Sequence, residues 1–197
     1  MRNLILLFLF INTLVMAQEN NSKEIPFKTI PEAASNYEAG NLIIRMIEGA
    51  GYRYYWATEG LTDTDLSFKP SDSGKSTFET LEHIYELSVM IKNTALNKAI
   101  IRPLEITSKD WLKLRSETLH HLEDAANVFE GKSPEELNAF KVMFERGGKQ
   151  SVFPLWNLIN GPLSDFIYHS GQIVSFRRSS GNPISKGVNV FIGKTKE

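Results

Sequence analysis

Apolar residues recur every three to four positions along four long stretches of the chain, and this spacing predicts amphipathic helices. In chain order, the four predicted helices cover Asn36 to Thr58, Ser76 or Thr77 to about Lys98, Ser108 to Gly131, and Pro154 to Arg177 or Ser179. No internal repeat accompanies them. The pattern therefore predicts an all-α fold in which four helices pack as a bundle.

Local signals define the ends of these helices. Ser108 is a residue type that caps helix N-termini, and Gly131 and Gly181 are typical stop residues. Pro162 lies inside the fourth helix, where proline removes one backbone hydrogen bond, so we expect a kink beside Asn160-Gly161.

Shorter elements are expected between and after the long helices. Ser133-Pro134-Glu135-Glu136 has the pattern of a capping box and predicts one short helical turn. The stretch from Lys141 to Val152, with Gly147-Gly148 at its centre, fits either a small hairpin or an irregular loop. The tail from Val188 to Ile192 is expected to pack irregularly along the bundle.

The N-terminus has the features of a secretory signal peptide. Arg2 precedes an apolar run from Leu4 to Val15, and a small residue, Ala17, stands before an abruptly polar segment. We expect residues 1–17 to be removed, so that the mature protein begins at Gln18 and is exported, either periplasmic or secreted, without stable membrane insertion. A retained anchor is the alternative, although the run is shorter than the roughly 20 residues of a spanning helix. Residues 18–35 are then a flexible tether, and residues 36–197 form one domain.

Composition restricts the function of that domain. Without residues 1–17, the chain keeps 21 basic and 23 acidic residues, and a nearly neutral surface argues against nucleic-acid binding. The sequence contains no cysteine, which excludes disulfides, cysteine-ligated zinc and a cysteine nucleophile. Gly74-Lys75-Ser76-Thr77 resembles the end of a phosphate-binding loop, but the required earlier glycine and preceding strand are missing.

Candidate chemistry is concentrated in the fourth helix. Asp165 stands four residues before His169, and Gln172 stands three residues after it, so all three share one helical face. An Asp and a His at this spacing can bind one cation together. They can equally form a hydrogen-bonded pair that orients the imidazole.

The other three histidines and one arginine have less definite positions. His83 borders the apolar face of the second helix and either enters the bundle or points to water. On the third helix, His120 is expected to be a solvated surface residue and His121 to lie at the core edge. Arg115 projects from the apolar face of that helix, which implies either an acidic partner on another helix or a different helix phase.

Two separated motifs resemble those of the DinB-like family. The first combines Phe68-Lys69-Pro70 with Leu81-Glu82-His83-Ile84, and the second is the run from Pro162 to Gln172, followed by Arg177-Arg178. The resemblance covers about Asn36 to Pro183, and its most specific part is His169-Ser170-Gly171-Gln172. It implies a four-helix bundle of unusual connectivity in which three histidines hold a divalent metal.

Carried over to this chain, the resemblance implies that His83 and His169 are metal ligands. Asp165 replaces the usual third histidine, as in a branch of secreted relatives. Such a set suits Zn²⁺, Ni²⁺, Mn²⁺ or Fe²⁺, and Gln172 is expected to orient a bound ligand or face bound water. The resemblance also implies a homodimer, for which the Tyr and Trp cluster between Tyr52 and Trp56 offers an apolar patch.

Three functions are compatible with these residues. The first is a metal-dependent enzyme acting on a small molecule of unknown identity, either a transferase that uses thiols, as some DinB-like proteins do, or a hydrolase. An oxidising exported compartment holds few free thiols, which favours hydrolysis. The second is a non-catalytic metal-binding or ligand-binding bundle, and the third is a structural or stress-related dimer with a vestigial site.

Overall fold

Four long helices form the bundle in the computed structural model, which describes residues 24–106 and 108–196. These helices are α1 (Ala39–Thr58), α3 (Thr77–Ala95), α4 (Trp111–Phe129) and α7 (Ser164–Ser180). Three short helices join them, namely α2 (Asp63–Ser67), α5 (Pro134–Leu137) and α6 (Trp156–Leu158). The predicted all-α bundle is confirmed. The predicted signal peptide, residues 1–17, lies outside the described residues, and no described helix is long and apolar enough to cross a membrane.

The order of the helices around the bundle differs from their order along the chain. Both α1 and α3 pack against α4 and α7. Consequently α1 and α3 lie on one diagonal of the bundle, and α4 and α7 lie on the other. This arrangement makes α3 and α7 neighbours although they are far apart in sequence.

The core contains the apolar faces that the periodicity predicted. Ile47, Ile84, Leu122 and Phe166, one from each long helix, are fully buried. Tyr52 and Tyr54 of α1 are also fully buried, with the Tyr54 ring against Phe166. Tyr52 and Tyr54 therefore belong to the interior of the fold, whereas Tyr55 and Trp56 are half-buried. A homodimer formed through this cluster stays a prediction.

Side chains that cap helix N-termini define where the helices begin. Ser76 and Glu79 form a reciprocal capping box before α3, and Ser133 and Glu136 form the predicted one before α5. The expected cap of the third helix was wrong. Asp110 accepts hydrogen bonds from the first backbone N–H groups of α4, whereas Ser108 accepts one from the Asp110 N–H.

A small sheet covers one side of α3. It consists of β1 (Ile100–Arg102), β2 (Lys141–Arg146) and β3 (Lys149–Pro154), in that order. β2 and β3 form an antiparallel hairpin, so of the two alternatives for this stretch, a hairpin or an irregular loop, the structure has the hairpin. The hairpin turns at two positive-φ glycines, Gly147 and Gly148. β1 pairs with β2 in parallel, with Ile100 opposite Phe144. This pairing places Phe144 beside α3.

The predicted kink precedes α7. Residues Ile159–Leu163 form a π-helical segment that contains Pro162, and Gly161 has non-helical dihedral angles of φ −99° and ψ −107°. The Ser164 backbone N–H donates to the Ile159 carbonyl, and the Ser164 hydroxyl donates to the same carbonyl at 2.6 Å. Because the distortion ends there, α7 begins as a regular helix one residue before Asp165.

The described ends of the chain lie on the bundle. Phe27 is buried against Gly51 of α1, and the Ile30 N–H donates to the Gly193 carbonyl at 2.8 Å. Phe27 and Ile30 thus pack on the domain, whereas residues 31–35 are exposed. That residues 18–35 form a flexible tether stays a prediction. The tail forms a short hairpin of β4 (Val188–Asn189) and β5 (Lys194–Thr195).

Two buried arginines link the helices around the C-terminal end of α1. Arg115 of α4 donates to the Glu59 carboxylate at 2.6 Å and stacks on Tyr55. Glu59 directly follows α1, so of the two alternatives for Arg115 the structure has the acidic partner from another helix. Arg177 of α7 donates to the carbonyls of Ala57 and Glu59 at 3.2 and 2.7 Å. A cation at this end of a helix also stabilises the negative end of the helix dipole.

Candidate metal centre

His83 reaches the groove between α3 and α7. It lies seven residues after the capping residue Ser76, or about two helical turns into α3. Its imidazole is half-buried. The alternative in which His83 points away from the bundle into water is therefore excluded.

Asp165 and His169 face His83 from the first turns of α7. The Asp165 Oδ2 lies 3.3 Å from Nε2 of His83, and its Oδ1 lies 3.3 Å from Nε2 of His169. The two imidazole rings are perpendicular, with centroids 4.6 Å apart. Two imidazole nitrogens and one carboxylate thus converge from two helices, as the sequence analysis predicted.

The spacing of these atoms fits a single cation. One ligand atom from each of the three residues lies within 4.8 Å of the others. Bonds from a divalent transition metal to nitrogen or oxygen are about 2.0 to 2.2 Å long, so two ligands of one ion lie roughly 3 to 4 Å apart. Small side-chain rotations would bring all three atoms to that distance.

Gln172 fixes the orientation of His169. Its Oε1 lies 2.6 Å from the Nδ1 of His169, one helical turn along α7. With this oxygen as acceptor, Nδ1 carries the proton and the lone pair of Nε2 points towards Asp165. A lone pair that faces a carboxylate requires a proton or a cation between the two groups, which is the arrangement expected of a metal ligand.

An open cleft of about 500 Å³ extends from this group of residues. Leu87, Met90 and Phe144 form an apolar wall, and Tyr168 contributes a phenol on the α7 side. Leu87 and Met90 follow His83 by one and two turns of α3, a spacing that the sequence already displayed. Phe144 could not be assigned to the cleft from sequence, because it arrives there through the β1–β2 pairing.

Neighbouring acidic residues have other partners. Glu79 caps α3, and Glu86 accepts from Arg102 at 3.2 Å. Neither carboxylate contributes to the group formed by His83, Asp165 and His169.

The remaining histidines lie away from the site on α4. His121 packs on Tyr85, and its Nδ1 lies 3.0 Å from the Ser88 hydroxyl, which confirms its position at the core edge. His120 is half-buried, with Nδ1 2.8 Å from the Ser116 carbonyl, so its expected exposure as a solvated surface residue was wrong.

No family model matches the chain, and no curated protein matches it. Among solved structures, a DinB-like protein of Bacillus subtilis, YjoA, aligns with a TM-score of 0.50 and 17% identity, covering 71% of this chain and 92% of the other. The chain has the DinB-like fold. YfiT from Bacillus subtilis aligns with a TM-score of 0.55 and 14% identity, covering 77% of this chain and 93% of YfiT. YfiT is described as a probable metal-dependent hydrolase with an unusual four-helix bundle topology.

The arrangement of the helices in this bundle explains why distant sequence motifs meet. Its diagonal placement of α1 and α3 makes α3 and α7 adjacent, so His83 and the Asp165–His169 pair share a groove. In this chain the third candidate ligand is a carboxylate, where the resemblance implied an imidazole.

Proposed function

We propose that His83, Asp165 and His169 bind one divalent transition-metal ion and that the protein is a metal-dependent hydrolase of a small molecule. The observation that carries the proposal is the convergence of the three ligand atoms within 4.8 Å, beside a Gln172 that orients one of them. Two imidazoles and one carboxylate suit Zn²⁺, Ni²⁺, Mn²⁺ or Fe²⁺. The fold shared with YfiT, itself described as a probable metal-dependent hydrolase, supports hydrolysis over thiol transfer.

The residues of the site have separate tasks in this proposal. When bound, the cation would supply a Lewis acid that polarises the bond to be hydrolysed. Gln172 keeps the Nε2 lone pair of His169 directed into the site, and Asp165 supplies the negative charge that offsets the cation. In this proposal Leu87, Met90 and Phe144, which line the cleft, accept the apolar part of the substrate, and the hydroxyl of Tyr168 hydrogen-bonds a polar part.

Metal titration of the purified protein tests the ligand set. Calorimetry with Zn²⁺, Ni²⁺, Mn²⁺ and Fe²⁺ should give one site per chain. His169→Ala should weaken binding by at least roughly 100-fold, because an i,i+4 ligand pair loses one member. Asp165→His should retain or strengthen binding, since it creates the three-imidazole set. His120→Ala is the matched control, a histidine removed from another helix, and should leave binding unchanged.

Two results would contradict the proposal. Protein that carries no stoichiometric metal, and takes up none on soaking, excludes a metal centre. Protein that binds metal at these residues, but hydrolyses none of a panel of small esters, amides and lactones, excludes the hydrolase and leaves a non-catalytic binding protein.

We also propose that the protein works outside the cytoplasm, since residues 1–17 have the pattern of a cleaved leader. Intact mass of the protein recovered from the cell envelope should correspond to a chain that starts at Gln18. A chain that retains residues 1–17 would contradict this.

A further inference from the structure

Three consecutive apolar residues protrude from the C-terminal hairpin. Val190, Phe191 and Ile192 connect β4 to β5 and are 47%, 95% and 50% exposed. We call these three residues the hairpin tip. Single exposed apolar residues are common on soluble proteins, but three adjacent ones at the end of a projecting hairpin form a continuous apolar surface.

The hairpin tip is held in place by hydrogen bonds around it. The Asn189 side-chain oxygen accepts from the N–H groups of Phe191 and Ile192 at 3.0 and 3.3 Å. The Gly193 N–H donates to the Asn189 carbonyl at 2.9 Å, which closes the turn. Because the turn is fixed, the apolar side chains are presented to solvent without further ordering.

The base of the hairpin is attached to the body of the protein. Gly193 lies so close to Ile30 that a Cβ at this position would overlap its side chain, and the Ile30 N–H donates to the Gly193 carbonyl. Tyr52 of α1 and Thr195 share a hydrogen bond of 2.8 Å between their hydroxyls. The tip thus projects from a fixed support.

Lysines flank the hairpin tip along the chain. Between Asn182 and Lys196 the chain contains three lysines and no acidic residue. Lys194 pairs with Glu32 at 3.2 Å. Lys186 and Lys196 are exposed and make no ion pair within the described residues. Within residues 182–196, lysines therefore outnumber acidic residues by three to none, although Glu197 follows in the sequence.

We propose that the hairpin tip docks reversibly on an anionic lipid membrane. Apolar side chains can enter the boundary between headgroups and acyl chains, while nearby lysines contact the negative headgroups. The apolar tip would then lie at the level of the acyl chains, and the lysines at the base of the hairpin would lie at the level of the anionic headgroups. This membrane contact is independent of the metal site, which lies in the groove between α3 and α7.

A local fluorescent probe tests the docking. Since the chain contains no cysteine, Val190→Cys provides a single labelling site next to Phe191. A nitrobenzoxadiazole label there should brighten and shift to the blue with vesicles containing phosphatidylglycerol, and respond weakly to pure phosphatidylcholine. The same label at Tyr37→Cys, in an equally exposed position at 90%, should not respond. Because the label reports only its own surroundings, its signal is specific to the hairpin tip and does not report membrane contact by another part of the chain.

Variants separate the apolar and the ionic contributions. In the Val190→Cys background, Phe191→Ala should weaken the vesicle response roughly 10- to 100-fold in lipid concentration, the range expected for one buried aromatic side chain. Tyr37→Ala is its control and should have no effect. The double variant Lys186→Glu/Lys196→Glu should bind vesicles more weakly, and its binding should no longer depend on salt concentration. The control Lys149→Glu, on the exposed strand β3, should leave both the binding and its salt dependence unchanged.

Two outcomes would overturn the proposal. An unchanged label spectrum with anionic vesicles would exclude membrane contact by the tip. A response that appears without lipid as the protein concentration rises, together with a mass increase in sedimentation, would assign the tip to a contact between protein chains.

Discussion

At the scale of single residues, the hydrogen bond from His169 to Gln172 determines which nitrogen faces the site. Gln172→Ala removes the acceptor of the Nδ1 proton, and the ring is then free to rotate or change tautomer. We expect metal affinity to fall roughly 10- to 100-fold, as is usual when such a supporting partner is lost.

Gln172→Glu distinguishes orientation from simple packing. Glutamate keeps an oxygen acceptor at the same place, so metal affinity should be retained. Ser175→Ala, an exposed change on the same helix, is the control and should have no effect. Equal loss of affinity in the Ala and Glu variants would show that Gln172 does not act through this hydrogen bond. Calorimetry with Zn²⁺ measures all three.

His121 makes the stability of the protein depend on pH. Burial, followed by the nearby charge of Lys92, lowers the pKa of His121 from 6.5 to about 4. Between these two values the unfolded chain binds a proton that the folded chain does not, so stability falls as the pH falls through this window. We expect a loss of about 1 to 3 kcal/mol in the free energy of unfolding between pH 7 and pH 4 from this residue.

Denaturant titrations at several pH values test this assignment. His121→Gln has no imidazole and should have a flatter profile between pH 6.5 and 4. Identical profiles for the variant and the wild type would contradict the role of His121.

The Asp65 carboxyl affects stability in a separate pH range. Burial alone would raise the pKa of Asp65, but hydrogen bonds from Ser180, Asn182 and Thr62 lower it from 3.8 to about 2. The contribution of Asp65 to stability is therefore lost only as the pH falls below 3.8.

At the scale of elements, the π-helical segment before α7 determines how Asp165 approaches His83. Pro162→Ala restores a backbone N–H and permits a continuous helix from Trp156 onwards. The first turn of α7 would then rotate relative to α3. We expect metal affinity to fall about 10-fold while thermal stability is unchanged or higher, because a helix gains a hydrogen bond.

Calorimetry and thermal unfolding of the same Pro162→Ala preparation measure both effects. Unchanged metal affinity with increased stability would show that the kink does not position Asp165.

Elements with a strong local pattern were predictable from the sequence. The four long helices have apolar faces with a regular period, and Ser133 with Glu136 and Gly181 mark ends through their own chemistry. β1 was not predicted, because a strand of three residues shows no clear alternation and Phe144, the partner of Ile100, lies 44 residues further along the chain. The cap at Asp110 was missed because Ser108 has equally suitable chemistry two positions earlier.

Only part of the candidate site could be predicted from local sequence patterns. The shared face of Asp165, His169 and Gln172 follows from helical spacing within one element. The meeting of His83 with that face depends on the diagonal packing of α1 and α3, which no local pattern encodes, and only the family resemblance suggested it. The partner of Arg115 is likewise set by packing, since Glu59 follows α1.

At the scale of the whole molecule, Arg177 connects the last long helix to the first. Its Nη1 donates to the carbonyls of Ala57 and Glu59, and its Nε donates to Asn182. Arg177→Met would remove the guanidinium donor from these carbonyls, of which that of Ala57 is buried. We expect a loss of about 3 kcal/mol in the free energy of unfolding, the range of hydrogen bonds to a charged group.

Arg178→Met is the matched control, because the neighbouring Arg178 is exposed, and it should change stability by less than about 0.5 kcal/mol. Urea denaturation followed by circular dichroism measures both. Equal stability of the two variants would show that the contact between α7 and α1 does not depend on this guanidinium.

The hydrogen bond between Ile30 and Gly193 brings the two described ends of the chain side by side. A short linker could therefore join them, and the exposed turn at Gly147-Gly148 offers a place for new termini. In such a circular permutant, Asp165 and His169 would precede His83 along the chain. If the groove is assembled by helix packing alone, the rearranged protein should bring the same three side chains together.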